Sequence, residues 1–196
     1  MPNNTFKIAF LIGWAVYFLG VYAPNMRRYR RTKITEARTR GLDAALDILA
    51  FIGWQGIPLI YVFTSRLNFA DYTLPAPAGW IGAALLTVAV LLLWRAYADL
   101  GRNWSPKIEI SEGQALVTQG VYGYIRHPIY AGLWLWAVAQ PLLLHNWIAG
   151  FGLLVVFLPL YLIRVPREEQ MMLEHFGETY RAYLNRTGRI IPRISN

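Results

Sequence analysis

Apolar residues fall along this chain in long runs divided by short polar connections, the pattern of helices that cross a membrane and not the alternation of half-exposed strands. The runs at 6–23, 42–64 and 79–98 each approach the roughly 20 residues that carry a helix across about 30 Å of hydrocarbon. Two shorter runs follow at 129–144 and 147–163, parted only by His145 and Asn146. That pair reads as a tight helical hairpin, each arm marginal in length for a full crossing. The pattern predicts an all-α, polytopic integral membrane protein with about five transmembrane helices. Residues 1–98 hold the first three, and residues 99–196 hold the hairpin and the polar stretches on either side of it. Pro58, Pro141 and Pro159 lie inside apolar runs, where membrane helices tolerate a kink.

Composition sharpens this picture. With 56% hydrophobic and 15% charged residues, the chain lies outside the balance of soluble domains. The first run has no basic segment before it and no small-residue cleavage site after it, so it is expected to remain in the mature protein. The net charge of +8 would suit nucleic acid, but its distribution argues otherwise. With five crossings, 17 of the 19 Lys and Arg residues fall on one side, and only Lys7 and Arg66 on the other. The positive-inside rule then sets the N-terminus outside and the C-terminus in the cytoplasm. No nucleic-acid partner is expected. Cysteine is absent, which removes disulfides and thiolate chemistry.

Residues able to do chemistry gather in the cytoplasmic stretches 99–128 and 164–196. In the first, Gly113, Gly120 and Gly123 allow a winding backbone that approaches a ligand closely. Arg126 and His127 then precede Pro128, which suits the first residue of a helix. By itself His127 reads as an interfacial residue at that helix start. In the second, Arg164 and Glu168 are four apart and share a helical face. They form either an exposed ion pair of small value or a desolvated guanidinium with its anion at the membrane edge. Asp43 and Asp47 read as interfacial partners of Arg38 or Arg40. There is no HExxH, and the three histidines come without cysteines, so no metal is expected. Nor is there a Walker loop or a strand-led GxGxxG, which disfavours a Rossmann site.

Three segments carry a resemblance. Leu116-Val117-Thr118-x-Gly120-Val121-Tyr122, Arg126-His127-Pro128-x-Tyr130-x-Gly132 and Arg164-x-x-x-Glu168-Glu169 resemble the isoprenylcysteine carboxyl methyltransferase family and its relatives, the phospholipid N-methyltransferases. The likeness runs from about residue 100 to 194, ends with Phe176-Gly177-Glu178-x-Tyr180, and leaves the first two apolar runs without a specific match.

The resemblance implies a non-Rossmann site for S-adenosyl-L-methionine, with S-adenosyl-L-homocysteine as product, enclosed by cytoplasmic loops and the last helices. Cofactor contacts carried over are Gln114, Ala115, Leu116, Val117, Tyr122, His127, Pro128, Ile129 and Tyr130. Lys107 stands where the family's glutamine is expected. Arg164 and Glu168 are implied as catalytic, substrate-side residues facing a lipid-open tunnel, and Glu169 as a further cofactor contact. The implied acceptor is a lipophile among membrane lipids, either a prenylcysteine carboxylate or a phospholipid amine such as phosphatidylethanolamine. A carboxylate is ionised at neutral pH and needs a positioning cation but no base, whereas an amine must first lose a proton. The Arg164-x-x-x-Glu168 spacing and the Leu116-Val117-Thr118-x-Gly120-Val121-Tyr122 segment look closest to the carboxyl methyltransferases, so the resemblance favours the carboxylate. The rival from another class is a lipid-binding scaffold without catalysis.

Overall fold

The computed structural model describes residues 4–38 and 41–193. Helix α1 (Asn4–Tyr17) passes through a π turn (Phe18–Tyr22) into α2 (Ala23–Tyr29). Likewise α3 (Gly41–Phe51) passes through a π turn (Ile52–Gly56) into α4 (Ile57–Phe63). Both π turns stand just ahead of a proline, Pro24 or Pro58. The residue before each, Ala23 or Ile57, donates its backbone N–H five residues back, to Phe18 and Ile52. The wider turn accommodates a ring that has no N–H to give and that would strike the carbonyl four residues earlier.

Helices α5 (Ala76–Leu100), α6 (Pro128–Leu144) and α7 (Trp147–Arg186) complete the bundle. Among the described residues, four helical stretches are long and apolar enough to cross a membrane: Asn4–Tyr29, Gly41–Phe63, Ala76–Asn103 and Trp147–Arg186. The chain is a multi-pass integral membrane protein. Helix α6 is shorter, at 17 residues. Between α6 and α7, His145 takes a left-handed conformation and Asn146 caps α7, its Oδ1 accepting from the N–H groups of Ile148 and Ala149 at 3.1 and 2.9 Å.

Two features depart from the apolar pattern. The last apolar run ends at residue 163 and the helical face of Arg164 and Glu168 reads as a cytoplasmic element beyond it, but the two are continuous in α7, which first departs from helical geometry at Gly177, where φ is 55°. The stretch between Arg167 and His175 holds good helix formers, so nothing stops the helix sooner. As far as Gly177 the helix is about 45 Å long, half again the hydrocarbon thickness, so its charged part, from Arg164 onward, projects past the apolar layer. The second departure is a small antiparallel ribbon of β1 (Ile34–Ala37) and β2 (Glu109–Ser111), paired Ile34 with Ser111 and Ala37 with Glu109. Strands of four and three residues are too short to show a period in the sequence.

Packing confirms the surroundings that the composition implies. Ile8, Ile12, Val16 and Leu19 on the first crossing, Val88 and Leu91 on α5, and Val155 and Leu162 on α7 are all exposed. Apolar bands this extensive suit lipid and not water. Inside, Phe10, Tyr17, Leu93, Trp136 and Leu143 are fully buried. Where the second crossing meets α7, backbone touches backbone: a Cβ on Gly53 would lie 2.6 Å from the carbonyl oxygen of Gly152. Gln140 secures the same crossing, its Nε2 donating to the Gly53 carbonyl at 3.2 Å and to that of Ala149 at 2.7 Å.

The polar ends are tied by ion pairs. Asp43 binds Arg167 and Asp47 binds Arg164, because α7 runs on past residue 163 alongside α3. Arg38 instead binds Glu36 and Glu174, and Arg40 lies outside the described residues. At the opposite end, Asn146 donates to Asp71 at 2.8 Å, and the Lys7 ammonium lies 3.9 Å from the Tyr61 ring centre. The Gly53 contact yields a test. Gly53→Ala is expected to destabilise the protein by about 1–3 kcal/mol through overpacking against backbone, read as a lower thermal unfolding midpoint in detergent.

Candidate active site

The polar end of the bundle encloses a cavity of about 400 Å³, within the usual size of small-molecule sites. One part of its wall is apolar: Phe18 from the first π turn, Phe51 and Trp54 from the second crossing, Leu133 from α6, and Leu153 and Phe157 from α7. Phe51 is also exposed on the outside of the bundle, so one edge of the apolar wall lies at the lipid-facing surface. The rest of the wall comes from the segment 103–130 and from the projecting half of α7. Both halves of the chain contribute to the one cavity.

Neighbouring side chains hold the loop 112–119 against this cavity. Asn103 Oδ1 accepts from the Ala115 N–H at 2.8 Å, and Gln114 Oε1 accepts from the Ser111 N–H at 2.8 Å. These bonds present Gln114, Ala115, Leu116 and Val117 to the cavity, with Lys107 beside them. Gly120, at φ 60°, then opens a 3-10 turn, Gly120–Gly123, whose start is fixed by Asp99 accepting from the Val121 N–H at 2.8 Å. A Cβ at Gly120 would strike the Asp99 carboxylate, so glycine is required there both by conformation and by space. The turn buries Tyr122, whose carbonyl accepts from the Tyr183 hydroxyl at 2.7 Å. Burial pushes the Tyr122 hydroxyl well above the usual tyrosine range, so it stays neutral.

His127, Pro128, Ile129 and Tyr130 enter the cavity from the start of α6. His127 is the N-cap residue, but its side chain caps nothing. Its Nε2 lies 3.1 Å from Glu169 Oε1. An ionised carboxylate only accepts, so Nε2 carries a proton and Nδ1 faces Glu168 at 4.0 Å. Glu169 also accepts from Arg126 Nε at 2.7 Å and Arg189 Nη2 at 2.6 Å. Burial alone would raise its pKa. The hydrogen bonds from His127, Arg189 and Arg126 outweigh burial and carry it down to about 2. Arg126 further donates to the Thr187 carbonyl at 2.5 Å, and the backbone N–H groups of Arg126 and His127 donate to the carbonyls of Gly188 and Arg189. The segment after α7 is thus strapped to the start of α6.

Arg164, 8% exposed, is the centre of the second network. Its Nε donates to Glu168 Oε1 at 2.8 Å, its Nη1 to Asp47 Oδ1 at 2.6 Å, and its Nη2 to the Pro106 carbonyl. The Tyr130 hydroxyl donates to the same Glu168 oxygen at 2.7 Å. The cavity therefore touches every candidate residue except Glu169, which stands behind His127 with both oxygens bonded to the protein.

Several participants escaped the sequence reading. Asp47 was read as an interfacial partner of Arg38 or Arg40, yet it lines the cavity and holds Arg164. Asp99 had a local signal in its spacing from Arg95, four residues back, with which it pairs at 2.9 Å. Asn103, Tyr183 and Arg189 act through long-range contacts that no spacing announces.

Comparison with known proteins gives a consistent result. The family model described as isoprenylcysteine carboxyl methyltransferase matches residues 81–174. Protein-S-isoprenylcysteine O-methyltransferase B of Arabidopsis thaliana is 31% identical over 121 residues, which cover 59% of this chain and 61% of that one. The protein-S-isoprenylcysteine O-methyltransferase of Dictyostelium discoideum is 29% identical over 184 residues, covering 92% of this chain and 72% of that one. This second match extends through the first two crossings, where the motifs show no specific likeness. The solved structure of the eukaryotic intramembrane Ras methyltransferase ICMT is 27% identical, with a TM-score of 0.49, covering 77% of this chain and 53% of that one. The chain thus spans about three-fifths of the length of the Arabidopsis relative. Over residues 81–174 this chain is thus similar to the isoprenylcysteine carboxyl methyltransferase family.

Proposed function

We propose that the protein transfers a methyl group from S-adenosylmethionine to the carboxylate of a prenylcysteine at the cytoplasmic face of a membrane. The observation that carries this reading is the position of Arg164, a buried guanidinium where the apolar wall of the cavity meets its polar loops. An amphiphile whose tail enters from lipid past Phe51 and Trp54 would bring its head group to that cation.

The residues present suit the methyl donor. The loop residues Gln114 to Val117 and the buried Tyr122 offer backbone groups, short side chains and an aromatic face to a nucleoside. His127 and Tyr130 lie between that loop and Arg164 along the start of α6. When bound, S-adenosylmethionine supplies an electrophilic methyl on a sulfonium, which an aligned nucleophile displaces in line. The protein's tasks are to align the acceptor and to exclude water. Arg164 binds the acceptor carboxylate, which is already ionised and needs no base. Glu168 orients Arg164 through Nε and takes no proton. Tyr130 and Phe157, stacked at 6.1 Å and backed by Tyr161, form an aromatic wall that keeps water from the reacting atoms. Glu169 acts from behind, fixing the His127 ring and joining α7 to the segment that follows it. The basic residues gathered at the cavity end support a cytoplasmic site and C-terminus, with the N-terminus outside.

Two tests follow. In calorimetric titration with S-adenosylhomocysteine and in transfer from labelled donor to a farnesylcysteine analogue, wild type should bind and form the carboxyl ester. Tyr122→Ala should weaken binding of S-adenosylhomocysteine. Arg164→Ala should leave it within about threefold and lower ester formation at least about a hundredfold, the scale of a lost charge-assisted contact. Transfer to lipid amines alone would move the reading to the phospholipid enzymes, and no binding would refute it. The second test concerns Glu169. Because its carboxyl titrates near 2 in the folded protein, against 4.5 ordinarily, its contribution is complete above about pH 4.5 and fades as pH falls towards 2. Glu169→Gln should therefore be less stable than wild type by about 3 kcal/mol at neutral pH. Unfolding midpoints measured in detergent from pH 7 downward should converge below pH 4.5.

A further inference from the structure

Arg164 already holds a carboxylate. Its guanidinium presents three nitrogens, and each is engaged: Nε by Glu168 at 2.8 Å, Nη1 by Asp47 at 2.6 Å and Nη2 by the carbonyl of Pro106. A planar guanidinium receives a carboxylate best along an edge of two parallel N–H bonds. Here every edge carries at least one acceptor, so an incoming carboxylate has no free edge to take.

The three acceptors are not held alike. Pro106 contributes backbone. Glu168 lies one turn from Arg164 on the same helix and is steadied by the Tyr130 hydroxyl. Asp47 comes from α3, and among the described residues its one hydrogen-bond partner is Arg164. Its side chain is 37% exposed, the most accessible of the ionic groups on this guanidinium. It also lines the cavity, at the polar end of a stripe continued by Ala50, Phe51 and Trp54 at helical spacing. Asp47 thus stands where that apolar wall reaches Arg164, the place an amphiphilic acid would put its own carboxylate.

We propose that Asp47 is a resident substitute for the acceptor's carboxylate: it occupies Arg164 when the site is empty, yields to the acid, and returns once the neutral ester has formed. This rests on the acid-acceptor reading above. Exchanging one carboxylate for another keeps the buried guanidinium paired, which matters because an unpaired buried charge is costly. The ester has lost the charge that displaced Asp47, so Asp47 returns to Arg164 and the ester keeps no hold on the guanidinium. Asp47 then sets selectivity between acid and ester without touching the methyl donor.

The sign of one effect separates this role from simple support of Arg164. N-acetyl-S-farnesylcysteine and its methyl ester would be compared on purified wild type, Asp47→Asn and Asp47→Ser, with thermal unfolding to show which variants fold. If Asp47 competes, removing its charge lowers KM for the acid by about tenfold and leaves the dissociation constants of the ester and of S-adenosylhomocysteine as they were. Asp47→Glu, which retains the charge, should keep KM close to the wild-type value. A KM that rises or holds steady in the folded neutral variants overturns the proposal, since a supporting residue would weaken acid binding when lost. Wild type that methylates no farnesylcysteine acid would overturn the underlying reading instead.

Discussion

An arginine side chain keeps its proton under any cellular condition, so one buried at the edge of an apolar bundle must be met by acceptors in fixed positions. Arg164 imposes that demand here, and distant parts of the chain converge to satisfy it. Asp47 arrives on α3, the Pro106 carbonyl on the segment leading to β2, and Glu168 on α7 itself. Tyr130 joins from α6 through Glu168. One side chain thereby sets the relative positions of α3 and α7, the start of α6, and the approach to the ribbon. The cavity is the space these commitments leave.

A second charge does comparable work on the other side of His127. Glu169 gathers Arg126, Arg189 and His127, and so joins α7, the start of α6 and the strap beyond residue 187. Neither network resembles the exposed pairs that contribute little in soluble proteins, since the side chains of Arg126 and Glu169 are 13% and 11% exposed. They also divide the labour. Arg164 faces the cavity, while Glu169 has no cavity surface and acts by holding those that do.

How much of this was legible beforehand depended on the range of the interactions. The crossings were legible because burial in lipid requires long apolar runs, and such runs are local. Arg164 and Glu168 were legible as a pair because helical spacing sets them face to face. Whether that pair was buried was not, since this depends on α3 lying alongside α7. Asp47 was misplaced for the same reason: its neighbours in sequence are basic, so Arg38 and Arg40 appeared to suffice. The ribbon, the strap at 187–190 and the anchoring of the loop by Asn103 and Asp99 rest on contacts between residues far apart in sequence or in turns without a period. The residues from Arg164 onward were legible as helical, but not their continuity with the apolar run before them, because the loss of hydrophobicity at residue 163 looks like a boundary between elements and Pro166 follows it closely.

That long helix has a consequence for how such sequences can vary. Phe157 in the apolar wall of the cavity and Glu168 beside Arg164 are eleven residues apart on one uninterrupted stretch of helix, about three full turns, and so point the same way. Inserting or deleting a single residue between them would swing one relative to the other by about 100° and shift its depth by about 1.5 Å, with no loop to absorb the error. Length changes should therefore collect in the connections 64–75 and 112–119 and beyond residue 187, while the spacing from 157 to 168 stays invariant even where the residues themselves are replaced.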